Sequence, residues 1–163
     1  MTDILFNPGT PIIFKSTGGV LLTPTSITSG AGRISDRHDR GAGALPLEYE
    51  WKCEVKTAAA ATIGRTLRLF WIGSSAATGA TGTDGRFSHS DAVLGAQDLL
   101  RNLNPMGIVQ ADNTSNPGTF VGRGICFLTA RYIQAAIWND LNATLSATAT
   151  DFTLTLTPIP MSF

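Results

Sequence analysis

The sequence predicts an all-β protein, a β-sandwich with the jelly roll as its expected form, and three observations lead there. Charge is scarce: Asp, Glu, Lys and Arg make up 15% of the 163 residues, against about 25% in an average globular chain. The missing charge is replaced by 21 Thr and 17 Gly. Thr is stiff at χ1 and favours strands, whereas Gly supplies the positive-φ positions of turns. Apolar and polar residues also alternate with a period of two in several short segments, the pattern of strands buried on one face.

The clearest segment is residues 48–56. Tyr49, Trp51, Cys53 and Val55 alternate with Glu48, Glu50, Lys52, Glu54 and Lys56, which a helical period of 3.6 cannot reproduce. Residues 65–72 follow after a soft connector. Leu67, Leu69 and Trp71 take one face and Thr66, Arg68, Phe70 and Ile72 the other. The second face turns apolar at its end, so that end is expected to be covered on both sides. Residues 106–111, 124–129 and 131–138 read as further strands. Residues 152–158 close the set, with Phe152, Leu154 and Leu156 inside and Thr153, Thr155 and Thr157 outside. Asn139-Asp140-Leu141-Asn142 is a turn by composition, and residues 73–85, almost pure Gly, Ala, Ser and Thr, read as a long exposed loop.

At most one short helix is expected. Ser90 is placed to cap it, Leu99, Leu100 and Leu103 form its apolar stripe, Gly95 weakens it and Pro105 ends it. The stretch before residue 33 is dense in Pro and Gly, with short apolar pieces at 4–6, 12–14 and 20–22. It reads as an extended N-terminal arm or a series of edge strands laid on the body or on a neighbouring subunit. The expected organisation is thus residues 1–32 as that arm and residues 33–163 as one sandwich domain, a size that supports a single core.

Net charge is zero, which leaves no basic footprint for nucleic acid. No apolar run approaches the roughly 18 residues of a membrane span, and Met1-Thr2-Asp3 does not open a signal peptide. Synthesis in a cytoplasm, with reduced thiols, is the expectation. A weakly charged surface rich in Thr, Ala and Gly suits burial against other subunits better than life as a soluble monomer.

The segments with chemical potential are few. Asp36 and His38 would share one face of a strand and could ligate a metal, but no second cluster matches them, and interleaved charges with Arg33, Arg37 and Arg40 give the plainer account. Ser88-His89-Ser90-Asp91 holds the residue types of a hydrolase triad, yet triads are assembled from distant segments, and a polar loop before a cap explains the run. Cys53 and Cys126 read as small core residues; a bridge between them is conceivable. Gly79-Ala-Thr-Gly82 and Gly122-Arg-Gly124 lack the lysine and spacing of a phosphate loop. Trp51, Trp71 and Trp138 could stack on sugar rings, with Trp138 as the one most open to solvent, although alternation favours core packing for the first two. The expectation is therefore no catalytic residue, no cofactor and no metal.

Taken in order, several segments resemble small tailed-bacteriophage virion proteins of the jelly-roll type, the capsid decoration or cement proteins. They are Gly32-Arg33-Ile34-Ser35, the Tyr49–Val55 alternation, Thr62-Ile63-Gly64, Leu67-Arg68-Leu69-Phe70-Trp71 with the Gly/Ala/Thr loop after it, Ala130-Arg131-Tyr132, the 139–142 turn, and Leu156-Thr157-Pro158-Ile159-Pro160. The resemblance spans residues 32–160 and leaves the N-terminal stretch unmatched. It implies a virion location on the capsid surface after synthesis in a bacterial host, with the major capsid protein and further copies of the chain (a dimer or trimer) as partners. Nucleic acid, membrane and catalysis have no part in it. A tail, baseplate or head-fibre component, or a carbohydrate-binding β-sandwich module, are the alternatives.

Overall fold

The computed structural model describes residues 9–42, 45–75, 77 and 90–159, and these form an all-β sandwich. In chain order the strands are β1 (Ile12–Lys15), β2 (Val20–Leu21), β3 (Ala31–Ile34), β4 (His38–Asp39), β5 (Glu48–Lys56), β6 (Thr66–Ser74), β7 (Ala92–Leu94), β8 (Asn104–Gln110), β9 (Thr119–Phe127), β10 (Tyr132–Asp140) and β11 (Phe152–Pro158). One sheet has the order β2-β1-β11-β5-β9 and the other β7-β3-β10-β6-β8, with β4 paired to β10. Apart from the short parallel contact of β1 with β2, every pairing is antiparallel.

The nesting of those pairs gives the jelly roll. Among the eight principal strands the first pairs with the last (β1 with β11), the second with the seventh (β3 with β10), the third with the sixth (β5 with β9) and the fourth with the fifth (β6 with β8). This is one long antiparallel hairpin. Rolling it up brings β11 beside β5 and β10 beside β6, which closes two four-stranded layers into the double-sheet form.

Alternation sets the core. In β5, Tyr49, Trp51, Cys53 and Val55 are buried, and in β11 Phe152, Leu154 and Leu156 are. From the facing sheet Leu67, Leu69, Trp71, Ile133, Ala135 and Ile137 pack against them. The described part of the N-terminal stretch joins this body: Ile12 and Phe14 of β1, then Leu22 and Ile27, lie in the same core, and β3 spans the expected boundary at residue 32.

A second apolar layer covers the outer face of the β7-β3-β10-β6-β8 sheet. Ile34, Ile72, Ala136 and Trp138 on that face meet Leu94, Leu100 and Leu103 from the connection between β6 and β8. This explains the apolar end of β6 and corrects two expectations. Trp138 is 3% exposed, the most buried of the three tryptophans. The segment expected as a helix from Ser90 to Leu103 is a strand, β7, followed by a 3-10 helix, Gln97–Asn102, that starts at Ala96 without a side-chain cap. The open edge of β3 offers Ala92–Leu94 a ladder, and β-branched Val93 and Gly95 favour that over a helix. The expected turn at 139–142 is displaced as well. Asn139 still belongs to β10 and is fully buried. Its Nδ2 donates to the Ile27 and Ala143 carbonyls and its Oδ1 accepts from the Leu141 N–H, so its amide pins the chain reversal from inside.

Trp51 fills the seam where β8 and β9 approach. Its ring lies against Gly107 of β8 and against Gly122 and Gly124 of β9. A methyl group at Gly124 would stand 2.7 Å from Trp51 Nε1. Gly124→Ala is therefore expected to cost about 2 kcal/mol, within the range for overpacking a well-filled core, and under about 0.5 kcal/mol in a Trp51→Leu background. Urea melts of the four variants in the cycle check this; equal costs in both backgrounds would mean that the ring does not set the constraint.

Candidate functional site

Among the described residues, the carboxylates of the segments singled out for chemistry are engaged in holding the fold. Asp36 Oδ1 accepts the Asp91 backbone N–H at 2.6 Å, so it is occupied on its own flank. Asp39 takes a bidentate pair from Arg131, both contacts at 2.8 Å, and accepts the Gly41 N–H at 2.8 Å. The Arg131 bond, then the Gly41 bond, holds its carboxyl at about 2. His38 is half-buried at the start of β4, and burial pulls its pKa below the ordinary value, with Asp39 opposing and Arg40 reinforcing. Among the described residues no three His, Cys, Asp or Glu side chains gather as metal ligands.

Of the Ser88-His89-Ser90-Asp91 run, Ser88 and His89 lie outside the described residues. The Asp91 carboxylate is committed to a latch: Arg33 donates through Nε and Nη2 at 2.7 and 2.8 Å, and Thr23 donates through its hydroxyl. Burial pushes the Asp91 pKa up, but these donors outweigh it and the net shift is downward. The latch ties β7 and the second apolar layer to β3.

Arg40 serves the other end of the sandwich. Its Nη1 donates to the Leu128 and Ala130 carbonyls at 2.9 and 2.6 Å and its Nη2 to the Pro46 carbonyl, while the guanidinium lies 5.1 Å from the centre of the Tyr49 ring. Arg68 meets Asp140 at 2.6 Å, and Lys56 meets Asp151 at 2.8 Å. The Arg33–Arg40 segment is thus internal wiring rather than a free charged strand.

Cys53 and Cys126 are both free and buried. Burial raises both pKa values, that of Cys126 to about 11. They sit on adjacent strands, but Cys53 faces Gly122 and Cys126 faces Tyr49. The offset of four residues is about 13 Å of strand, well beyond the roughly 7 Å that a disulfide spans. Gly122-Arg-Gly124 lies within β9, where its glycines make room for Trp51. Gly79 to Gly82 lie outside the described residues, as does most of the expected 73–85 loop.

The described surface has concave places as well. A cleft of about 440 Å³ is lined by Arg68, Phe70, Gln97, Asp98, Leu100 and Arg101. A smaller one of about 170 Å³ lies between Lys52, Glu54, Thr153 and Thr155.

The more unusual surface is the outer side of β9. Val121 is 52% exposed, Ile125 57% and Phe127 61%. They share one face with Thr119 and Arg123, while Phe120 and Cys126 point into the core. Beside them runs the charged row of β5, where Glu48 faces Phe127, Glu50 faces Ile125, Lys52 faces Arg123 and Glu54 faces Val121. β9 ends its sheet, and no described strand pairs with its outer side. The apolar run legible in the sequence starts at Gly124, which leaves Val121 and Arg123 outside it. The signal was present in the period-two alternation of 119–127, obscured by two glycines on the inner face.

No protein-family model matches this chain, and no curated protein matches it.

The perturbed groups give the fold a definite response to acid. Below about pH 6.5 the unfolded chain protonates at His38 while the folded chain resists, so the unfolded state binds more protons and stability falls as pH drops. The depressed carboxyls of Asp39 and Asp91 add a second loss, which begins near their ordinary value of 3.8 and for Asp39 is complete only below about 2. Urea midpoints measured across pH are expected to decline from pH 6.5 to 5 in the wild type and to decline less in His38→Gln. An identical slope in the variant would remove His38 as the cause.

Proposed function

We propose that this chain is a virion structural protein, a decoration protein that binds the outside of a tailed-phage head and stabilises it by clamping neighbouring capsid subunits. It acts as a homo-oligomer and as a surface, without catalysis. One observation carries the reading. Arg33, Lys56, Arg68 and Arg131 of the described fold are spent on ion pairs within the chain, while eight large apolar side chains stay open to solvent, three of them on β9 alone. Single exposed apolar residues are ordinary, but a run along one strand marks a surface that another protein covers.

The jelly roll supports this use because it is rigid and self-contained. Thr- and Ala-rich faces can be buried without stranding unpaired charges. Many weak contacts repeated around a symmetric shell then add up through avidity. A sugar-binding platform finds less support, since Trp51, Trp71 and Trp138 are all under 10% exposed.

The test uses purified protein and empty, expanded shells of the major capsid protein carried on the same genome. The protein is expected to co-sediment with shells at roughly micromolar concentration, which an interface of about −8 kcal/mol sustains, and to raise the temperature at which they rupture. Failure to bind the shells, or antibody labelling confined to the tail of intact particles, would sink the proposal.

A further inference from the structure

We infer that the outer edge of β9 is the self-association surface of this protein, and that its partner is the same strand of a second copy, antiparallel about a two-fold axis through Ile125. The inference rests on the homo-oligomer part of the proposed function and deepens it, while shell binding is read separately by co-sedimentation.

The backbone comes first. Leu128 N–H donates to the Leu47 carbonyl, and Thr57 N–H donates to the Gly118 carbonyl. The register between β5 and β9 runs unbroken from Glu48–Phe127 to Lys56–Thr119. Even-numbered residues of β9 therefore bond to β5. Thr119, Val121, Arg123, Ile125 and Phe127 aim their N–H and C=O groups the other way, where no described strand receives them. Such a row is a template for another strand.

The side chains then choose the occupant and the register. Within one copy, Arg123 stands opposite Lys52, a like-charge pair that is unfavourable across strands. Neither Arg123 nor Glu48 has an ion-pair partner among the described residues. A two-fold centred on Arg123 would set two guanidiniums face to face. Moving the axis to Ile125 removes that conflict. Ile125 then meets its own copy, and Arg123 lies across from the partner's Phe127, with the partner's Glu48 directly behind that ring. The cation gains an aromatic face and a carboxylate that its own chain denies it. Both matches occur twice by symmetry, as a self-complementary two-fold contact requires. Ile125, with its polar groups turned outward, forms the hydrogen-bonded pair at the axis, where Cα atoms lie about 5.5 Å apart.

The experiment reads mass and register together. Sedimentation equilibrium of the whole chain is expected to give a dimer. Arg123→Glu or Glu48→Arg alone should raise the dissociation constant by about tenfold or more, and the two together should restore it to within about threefold. Far-ultraviolet circular dichroism of each variant separates lost association from lost folding. Should the charge variants misfold, Ile125→Cys supplies a second route. A short bifunctional thiol reagent should join two copies through that position, while Val121→Cys, which the axis places away from its own copy, should not be joined. The native Cys53 and Cys126 are buried and stay out of the reaction. A monomer at all concentrations, a trimer, a dimer indifferent to both charge changes, or equal cross-linking at 121 and 125 would each overturn the inference.

Discussion

The placement of Trp51 constrains the rest of the molecule. A sandwich must close where its two sheets run out of strands, and on this side those strands are β8 and β9. One indole closes the gap, because Gly107, Gly122 and Gly124 carry no side chains to compete with it. The same glycines let β9 lie close over the core while contributing little bulk of its own. Phe120 and Cys126 fill the core at its two ends, the alternate residues face outward, and the apolar character of Val121, Ile125 and Phe127 is left for something outside the fold. Core packing and exposed surface are two sides of one sequence alternation.

Polar side chains follow a complementary rule. Arg40 gathers three backbone carbonyls at one end of the sandwich, Arg33 and Asp91 fasten the second apolar layer, and Asn139 satisfies three backbone groups inside a chain reversal. Each meets a backbone or charge demand that burial would otherwise leave open. A chain so poor in charge has few such groups available. That they serve the interior explains why Asp36, Asp39 and Asp91, drawn from the segments with chemical potential, are held in structural ties.

Period-two patterns with polar residues on one face were legible to the residue: β5 and β11 begin and end where the alternation does. β10 was legible as a strand, but burial on both faces hid the role of Trp138, because the covering layer comes from a segment whose apolar spacing imitates a helix. Leu99, Leu100 and Leu103 fit an amphipathic stripe, and only the free edge of β3 reveals that the preceding residues pair as a strand. Spacing alone could not place the cysteines either, since their separation depends on the register of β5 with β9. The β9 surface was the least legible feature. Being last in a sheet is a property of topology, and the inner glycines broke the apolar pattern that would have drawn attention to the outer one.

That topology also bears on how the molecule avoids uncontrolled growth. A sandwich has four sheet edges, and long open edges invite fibres. Here β2 is two residues long and β7 three, too short to template much. β8 carries Pro105, which lacks a backbone donor, and its pairing with β6 shifts register between Leu69 and Phe70. Both devices blunt an edge. Of the edge strands among the described residues, β9 alone is nine residues long, regular and free of proline. Its safeguard is one charge: Arg123 penalises the register centred on itself and accepts the one centred on Ile125. A contact in which the same edge meets itself consumes that edge in both copies and closes at two, whereas an edge that met a different surface could extend without limit. Among the described residues, the long open edge of β9 and the cation within it are explained together as parts of one closed contact.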